Sequence, residues 1–213
     1  MVQPIAIARP LREKEKRALR GRIAFVHNEH TRRTRRLLLG CLTICGLLSA
    51  VTLSASAAPW NLVVAFFTAS GLVIFLWAWL GDRATGRKVV QELESALRQD
   101  EAREICIQAT NAVEFEEVAD EGACFAFEVA PYELMFVSGQ EFYPSAKFPN
   151  TGFCLIYVYG ESGDLVEFFI EKHGRKLRPA RVISAATKAK LRVPANLECI
   201  PGTLDDLERI LGA

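Results

Sequence analysis

The sequence predicts a membrane protein with a two-helix transmembrane hairpin, followed by a small α+β domain built on an antiparallel sheet. Three observations support this prediction. Residues 37–81 contain no charged side chain, one proline divides this run, and apolar residues alternate with polar ones from Glu104 onward. Residues 1–36 carry a net charge of +8 and residues 82–213 a net charge of −7. The chain therefore divides into a basic arm, an apolar middle and an acidic domain.

The apolar middle is long enough for two membrane spans. One helical span needs about 20 residues to cross roughly 30 Å of hydrocarbon, and the uncharged run has 45. Pro59 lacks an N–H and clashes with the preceding turn, so the first helix should end before it. The predicted spans are residues 37–58 and 61–80.

The stretch "SASAAPWNLV" at 54–63 permits a second interpretation, since Ala55-Ser56-Ala57 resembles a signal-peptidase site. A signal peptide has a short basic start and a single apolar run of about 7–15 residues. Here the basic start spans 36 residues and a second apolar run follows, so the uncleaved hairpin is favoured. The excess of Lys and Arg outside the hairpin predicts a multi-pass protein with both termini cytoplasmic.

Small residues recur every four positions along the first predicted span. Such a stripe lets helix backbones approach closely in lipid. The predicted helix-packing residues are Gly46, Ala50, Ser54 and Ala58. The expected partners are the lipid bilayer and anionic headgroups near the basic arm. Nucleic acid is a disfavoured alternative for that arm, because stacking aromatics and a supporting fold are missing from its sequence.

A connecting helix is predicted over residues 82–103, because its apolar residues have helical spacing. A β-rich cytoplasmic domain is predicted over residues 104–213. Its aromatic and β-branched runs indicate strands, at 104–109, 124–129, 132–139, 153–160 and 165–172. Thr203 is predicted to cap a short C-terminal helix.

The cysteines and histidines predict neither a metal nor a cofactor. Cys106, Cys124, Cys154 and Cys199 form no Cys-x-x-Cys pair, and four separate thiols are typical of a reducing compartment. His27 and His30 lie one helical turn apart, but two ligands on a basic arm attract a cation poorly.

The clearest candidate site is a charge-polarised segment. Residues 104–171 contain thirteen acidic residues and one basic residue, Lys147, whereas residues 172–192 contain eight basic residues and no acid. Three explanations of the basic segment compete. It pairs internally with the acidic strands, it faces an anionic membrane, or it recruits an acidic partner or nucleic acid. The candidate interaction surface comprises Lys172, His173, Arg175, Lys176, Arg178, Arg181, Lys188, Lys190 and Arg192.

The sequence favours a non-enzymatic role, because it lacks a glycine-rich phosphate loop, a nucleophile elbow and a zinc-protease helix. The predicted function is an integral membrane protein that displays a cytoplasmic interaction or regulatory domain for a protein partner or for homo-oligomerisation. The alternatives are a basic-arm nucleic-acid binder and a membrane-anchored enzyme or ligand-binding domain. The site of the latter would be built from the loops at 140–152 and 172–181.

Overall fold

The computed structural model describes the backbone of residues 5–54 and 58–212. Within the two long helices, the side chains at 41–42, 44–45, 47–54, 58–65, 67–68, 72, 74, 78 and 82–83 lie outside the description. The helices are α1 (Glu13–Ser54), α2 (Ala58–Gln99), α3 (Ala185–Lys188) and α4 (Leu207–Leu211), with a 3₁₀ turn at Gln140–Phe142. The strands are β1 (Ile7–Pro10), β2 (Glu101–Gln108), β3 (Asn111–Phe115), β4 (Ala123–Ala130), β5 (Glu133–Gly139), β6 (Gly152–Tyr159), β7 (Leu165–Lys172), β8 (Val182–Ile183) and β9 (Cys199–Pro201).

The chain forms two compact units. Among the described residues, the sheet unit contains 5–9, Ala102–Val158 and 167–212. The helical unit contains Pro10–Glu101 together with the turn at Tyr159–Val166.

Two sheets organise the strands. One has four strands in the order β1-β2-β6-β7, and the other has five in the order β8-β3-β4-β5-β9. In the first, β2 and β6 are antiparallel, with Ile105 opposite Leu155 and Cys106 opposite Cys154. In the second, the short β8 runs parallel to β3 while β4, β5 and β9 pair antiparallel, so this sheet is mixed.

Phenylalanine rings fill the core that joins the two sheets. Phe127 on β4 lies 5.2 Å from Phe153 on β6, measured between ring centroids. Phe148, from the loop before β6, meets Phe125 edge-on at 5.5 Å and Phe153 at 5.3 Å. All four rings are fully buried. Tilted and edge-to-face pairs add about 0.5–1.5 kcal/mol each beyond area burial.

The opposite face of the five-stranded sheet is also covered. Phe115 and Phe136 form a second apolar cluster there with Ile183, Leu207 and Leu211. Because β4 is covered on both faces, Ala123–Phe127 are buried without interruption. A strand buried on both faces loses the polar alternation of a half-exposed strand.

The two long helices begin at recognisable sequence signals. The Glu15 carboxylate accepts a hydrogen bond of 2.8 Å from the backbone N–H of Arg12, which satisfies one donor ahead of the first turn of α1. The second helix begins at Ala58, so Pro59 lies in its first turn, where a missing N–H costs nothing. The predicted first span ends at Ala58 and the second begins at Asn61, whereas α2 already includes Ala58, Pro59 and Trp60. Residues 55–57, between the two described helices, lie outside the description.

The prediction of an integral membrane protein is wrong. In the described part of the chain, no helix combines the length and hydropathy that crossing a bilayer requires. The predicted fold class, the two spans at 37–58 and 61–80, the multi-pass localisation with cytoplasmic termini and the membrane-displayed function are all corrected by this finding. The apolar runs are also not separate elements, since each belongs to a 42-residue helix that includes charged sequence. An uncharged run of span length is necessary for a membrane helix, but it does not by itself make one.

The sheet prediction is partly confirmed. The five predicted strands correspond to β2, β4, β5, β6 and β7, with bounds that differ by at most three residues. The sequence missed β1, β3, β8 and β9, as well as the division into two sheets. At the C-terminus, α4 begins at Leu207, and Thr203 donates to Asp206 instead of capping the helix.

Gly122 is expected to be essential for the sheet unit, and Gly163 provides a matched control. Both have a left-handed φ, +87° and +82° respectively. An alanine at either position therefore destabilises the folded state by about 1–2 kcal/mol. A Cβ at Gly122 would lie 2.4 Å from the backbone of Gly139 and Gln140, whereas one at Gly163 meets nothing within 4 Å. Urea unfolding followed by circular dichroism should show Gly122→Ala about 2 kcal/mol less stable than Gly163→Ala. Equal stabilities of the two variants would contradict this close approach.

Candidate anion-binding surface

The candidate site begins at a tight turn before β6. Ser145 and Phe148 exchange backbone hydrogen bonds of 2.9 and 3.3 Å. Phe148 is buried in the aromatic core, whereas Lys147 at the tip of the turn is exposed. The apolar ring thus anchors a turn whose polar residues face solvent.

The segment after β7 packs along this loop. The backbone N–H of Leu177 donates to Pro149, and that of Thr151 donates to Arg175, each at 2.9 Å. The side chain of Asn150, 2% exposed, accepts from the Gly152 N–H at 2.9 Å. The same side chain donates to the carbonyls of Lys147 and Gly174 at 3.1 Å. A buried amide with these bonds satisfied fixes both loops.

Two lysines from the second loop converge on one serine of the first. The Lys172 ammonium donates to the Ser145 hydroxyl at 3.2 Å and lies 5.5 Å from the centroid of the Phe148 ring. The Lys176 ammonium donates to the Ser145 carbonyl at 2.7 Å. Lys147, Lys172, Lys176 and Ser145 are called the lysine cluster below.

The lysine cluster has the electrostatics of an anion site. Among the described residues, neither Lys172 nor Lys176 forms an ion pair with a carboxylate. Two ammonium groups held at one serine repel each other, and an anion between them relieves that repulsion. The Ser145 hydroxyl accepts from Lys172 and from the Lys147 N–H at 3.4 Å, so its own O–H remains a donor for a ligand.

Three other predicted residues pair internally. Lys188 is buried and pairs with Glu121. Arg181 lies 3.1 Å from Glu208, and His173 lies 3.4 Å from Glu171. Internal pairing, one of the three explanations for the basic segment, therefore applies to part of it. The remaining predicted residues, Arg175, Arg178, Lys190 and Arg192, are exposed.

Three carboxylates of the described acidic strands bind other groups and not the lysine cluster. Glu117 accepts a hydrogen bond of 2.8 Å from the Tyr143 hydroxyl, and this contact raises the pKa of Tyr143. Glu116 accepts from the backbone N–H of Ala185, and Glu128 from the Thr110 hydroxyl. These carboxylates cap backbone and hydroxyl donors instead of pairing with the lysines.

The prediction of four separate thiols is wrong. Cys106 and Cys154 form a disulfide, while Cys124 and Cys199 are free and buried. The bonded cysteines are 48 residues apart. Only the register of β2 against β6 places them opposite each other, so their spacing in the sequence does not predict the disulfide.

The sequence analysis also missed Ser145, because an exposed serine in a loop has no distinctive pattern.

The helical unit holds a cavity of about 300 Å³. His27 and His30 both line this cavity. Its lining residues are Val26, His27, His30, Gly86, Arg87, Val90 and Gln91.

The predicted helix-packing stripe falls mostly on side chains outside the description, those of Ala50, Ser54 and Ala58. A methyl group at Gly46 would contact nothing within 4 Å, and the packing stripe stays a prediction.

The Lys188–Glu121 pair is expected to make stability depend on pH in acid. The hydrogen bond from Lys188 is the main reason that the pKa of Glu121 is lowered in the folded protein. A carboxyl with a depressed folded pKa contributes stability above its unfolded pKa, about 4.3. That contribution is lost as the pH falls through the folded pKa. Urea unfolding from pH 6 to pH 2 should therefore show a smaller acid loss of stability in Lys188→Met than in the wild type.

Lys190→Met is the control for this experiment, since Lys190 is exposed in the same segment and should leave the acid loss unchanged. Parallel pH profiles for the wild type and Lys188→Met would contradict the role assigned to the pair. Stability at neutral pH is not the test, because Lys188→Met also changes side-chain packing and leaves the half-exposed Glu121 carboxylate without its partner.

Comparison of the chain with models of protein families, with curated proteins and with solved structures finds no match.

Proposed function

We propose that the sheet unit is an interaction module that binds an acidic segment of a protein partner through the lysine cluster. One observation carries this proposal. Lys172 and Lys176 both donate to Ser145, and among the described residues no carboxylate pairs with either ammonium. The site is preorganised, because its loops are fixed by Asn150. Binding of a partner therefore does not cost the conformational entropy of ordering these loops.

An acidic polypeptide suits this surface better than nucleic acid. Binding of single strands relies on exposed aromatic faces that stack with bases. Of the aromatic residues in the loop, Phe142 and Phe148 are buried. Tyr143 is 44% exposed, but its hydroxyl is bonded to the Glu117 carboxylate, which repels phosphate. Lys172 is also the last residue of β7, which lies at the edge of its sheet. An extended segment can lie along a sheet edge, with its carboxylates directed at the lysines.

Neutralising the two converging lysines is expected to weaken binding of an octaglutamate peptide to the full-length protein about tenfold. Each exposed ionic contact is worth up to about 1 kcal/mol. The dissociation constants of the wild type and the Lys172→Gln/Lys176→Gln variant are compared by fluorescence anisotropy at low salt. The difference should shrink as salt is added, because the contacts are exposed.

The matched control is Lys190→Gln/Arg192→Gln, which removes the same charge from exposed positions flanking Leu191, a residue packed on the other apolar cluster. This variant should bind the peptide like the wild type. Equal losses in both double variants would show a response to net charge alone and would contradict the site. Tighter binding of oligothymidylate than of octaglutamate would favour nucleic acid as the partner.

A further inference from the structure

The disulfide lies on one face of the four-stranded sheet. The neighbours of Cys106 on β2 show which face this is. Ile105 and Ile107 pack in the aromatic core. Because side chains alternate along a strand, Cys106 and Glu104 share the other face. Cys154 is directly opposite Cys106 on β6, with their Cα atoms 4.0 Å apart. The backbone ladder thus keeps both sulfur atoms on this face, whether or not they are bonded.

One carboxylate oxygen of Glu104 faces the sulfur pair, and the other faces the guanidinium of Arg9. Its Oε1 lies 3.8 Å from the Sγ of Cys106. Its Oε2 accepts a hydrogen bond from the Nε of Arg9 on β1. Glu104 is 9% exposed, and its carboxyl group is oriented by Arg9 on one side with the Cys106 sulfur near the other. Arg9 thus orients the oxygen that faces the cysteines.

We propose that the reduced cysteines and Glu104 bind a thiophilic divalent cation of the zinc type, so that disulfide and metal complex are alternative states of one site. The ligand atoms of Glu104, Cys106 and Cys154 all lie within 4.8 Å of one another. Thiolate and carboxylate are both zinc ligands, and three protein ligands leave a fourth position of the tetrahedron for water or an exogenous ligand.

The charges of this site balance. Two thiolates and one carboxylate carry −3, and a divalent cation reduces this to −1. The guanidinium of Arg9 on the outer oxygen of Glu104 offsets the remaining negative charge. An outer partner that orients a metal-ligating side chain is a regular part of protein metal sites.

A dithiol reductant provides one balanced route between the two states. A thiolate of the reductant attacks the Sγ of Cys106, which belongs to an exposed residue. The sulfur–sulfur bond breaks, and Cys154 leaves and takes up a proton. The second thiol of the reductant resolves the mixed disulfide, which releases Cys106 as a thiol and leaves the reductant as a disulfide. The cation then displaces the two thiol protons and keeps its own oxidation state.

The test is a Co²⁺ titration of the full-length protein under anaerobic conditions, after reduction with a phosphine and removal of the reductant. The wild type should develop a thiolate-to-cobalt charge-transfer absorption, and Zn²⁺ should abolish it. The oxidised wild type should show no such absorption. It has the same sequence and fold, so this control does not depend on the stability of any variant.

Variants assign the ligands. Cys106→Ser should lose the absorption, whereas Cys124→Ser should retain it, since Cys124 is buried and its pKa is raised to about 11 by burial. Arg9→Gln should weaken zinc binding about 10–100-fold, the usual effect of removing an outer partner. Glu104→Gln should weaken zinc binding at least as much. Circular dichroism of each variant verifies that it is folded.

Three results would contradict the proposal. The first is a reduced wild type without the absorption, which would leave the cysteines as a disulfide pair only. The second is a Cys106→Ser variant that retains the wild-type absorption, which would place the metal on other thiols. The third is unchanged zinc affinity in a folded Glu104→Gln variant, which would remove Glu104 from the ligand set.

Discussion

The burial of phenylalanine rings between two sheets is the interaction on which the rest of the sheet unit depends. Phe125, Phe127, Phe148 and Phe153 come from two strands of different sheets and from one loop, and each ring contacts at least two of the others. Their mutual packing joins the sheets and brings the loop of Phe148 into the core. Protein interiors are close-packed and hardly compressible. The positions of the buried rings therefore determine where the polar groups on the surface lie.

Both candidate sites derive from this core. The lysine cluster exists because Phe148 anchors the turn that presents Ser145. The cysteine pair exists because the inward side chains of β2 and β6 fix the register of these strands. A one-residue slip of β2 would exchange its two faces and turn Cys106 into the apolar cluster, away from Cys154. Apolar packing thus determines where the charged and the redox-active groups can act.

The described charges of the sheet unit differ in whether they are paired within the unit. Glu116, Glu117 and Glu121 are engaged with a backbone N–H, with Tyr143 and with Lys188. The acidic run that dominates the sequence before residue 172 is therefore partly a set of local caps and pairs. Lys172 and Lys176 lie outside that set, since both donate to Ser145 and neither pairs with a carboxylate among the described residues. This difference is the basis of the proposed binding surface.

The sequence by itself determined the five longest strands and the charge division between acidic and basic segments. These are local properties, set by side-chain alternation and composition. Only the tertiary structure decided which strands share a sheet, why Cys106 meets Cys154, and that Lys172 and Lys176 converge on Ser145. The short strands β8 and β9 exist only through their neighbours. Such pairings join residues far apart in the chain, and their register follows from cooperative packing of the whole core. No short window of sequence contains that information.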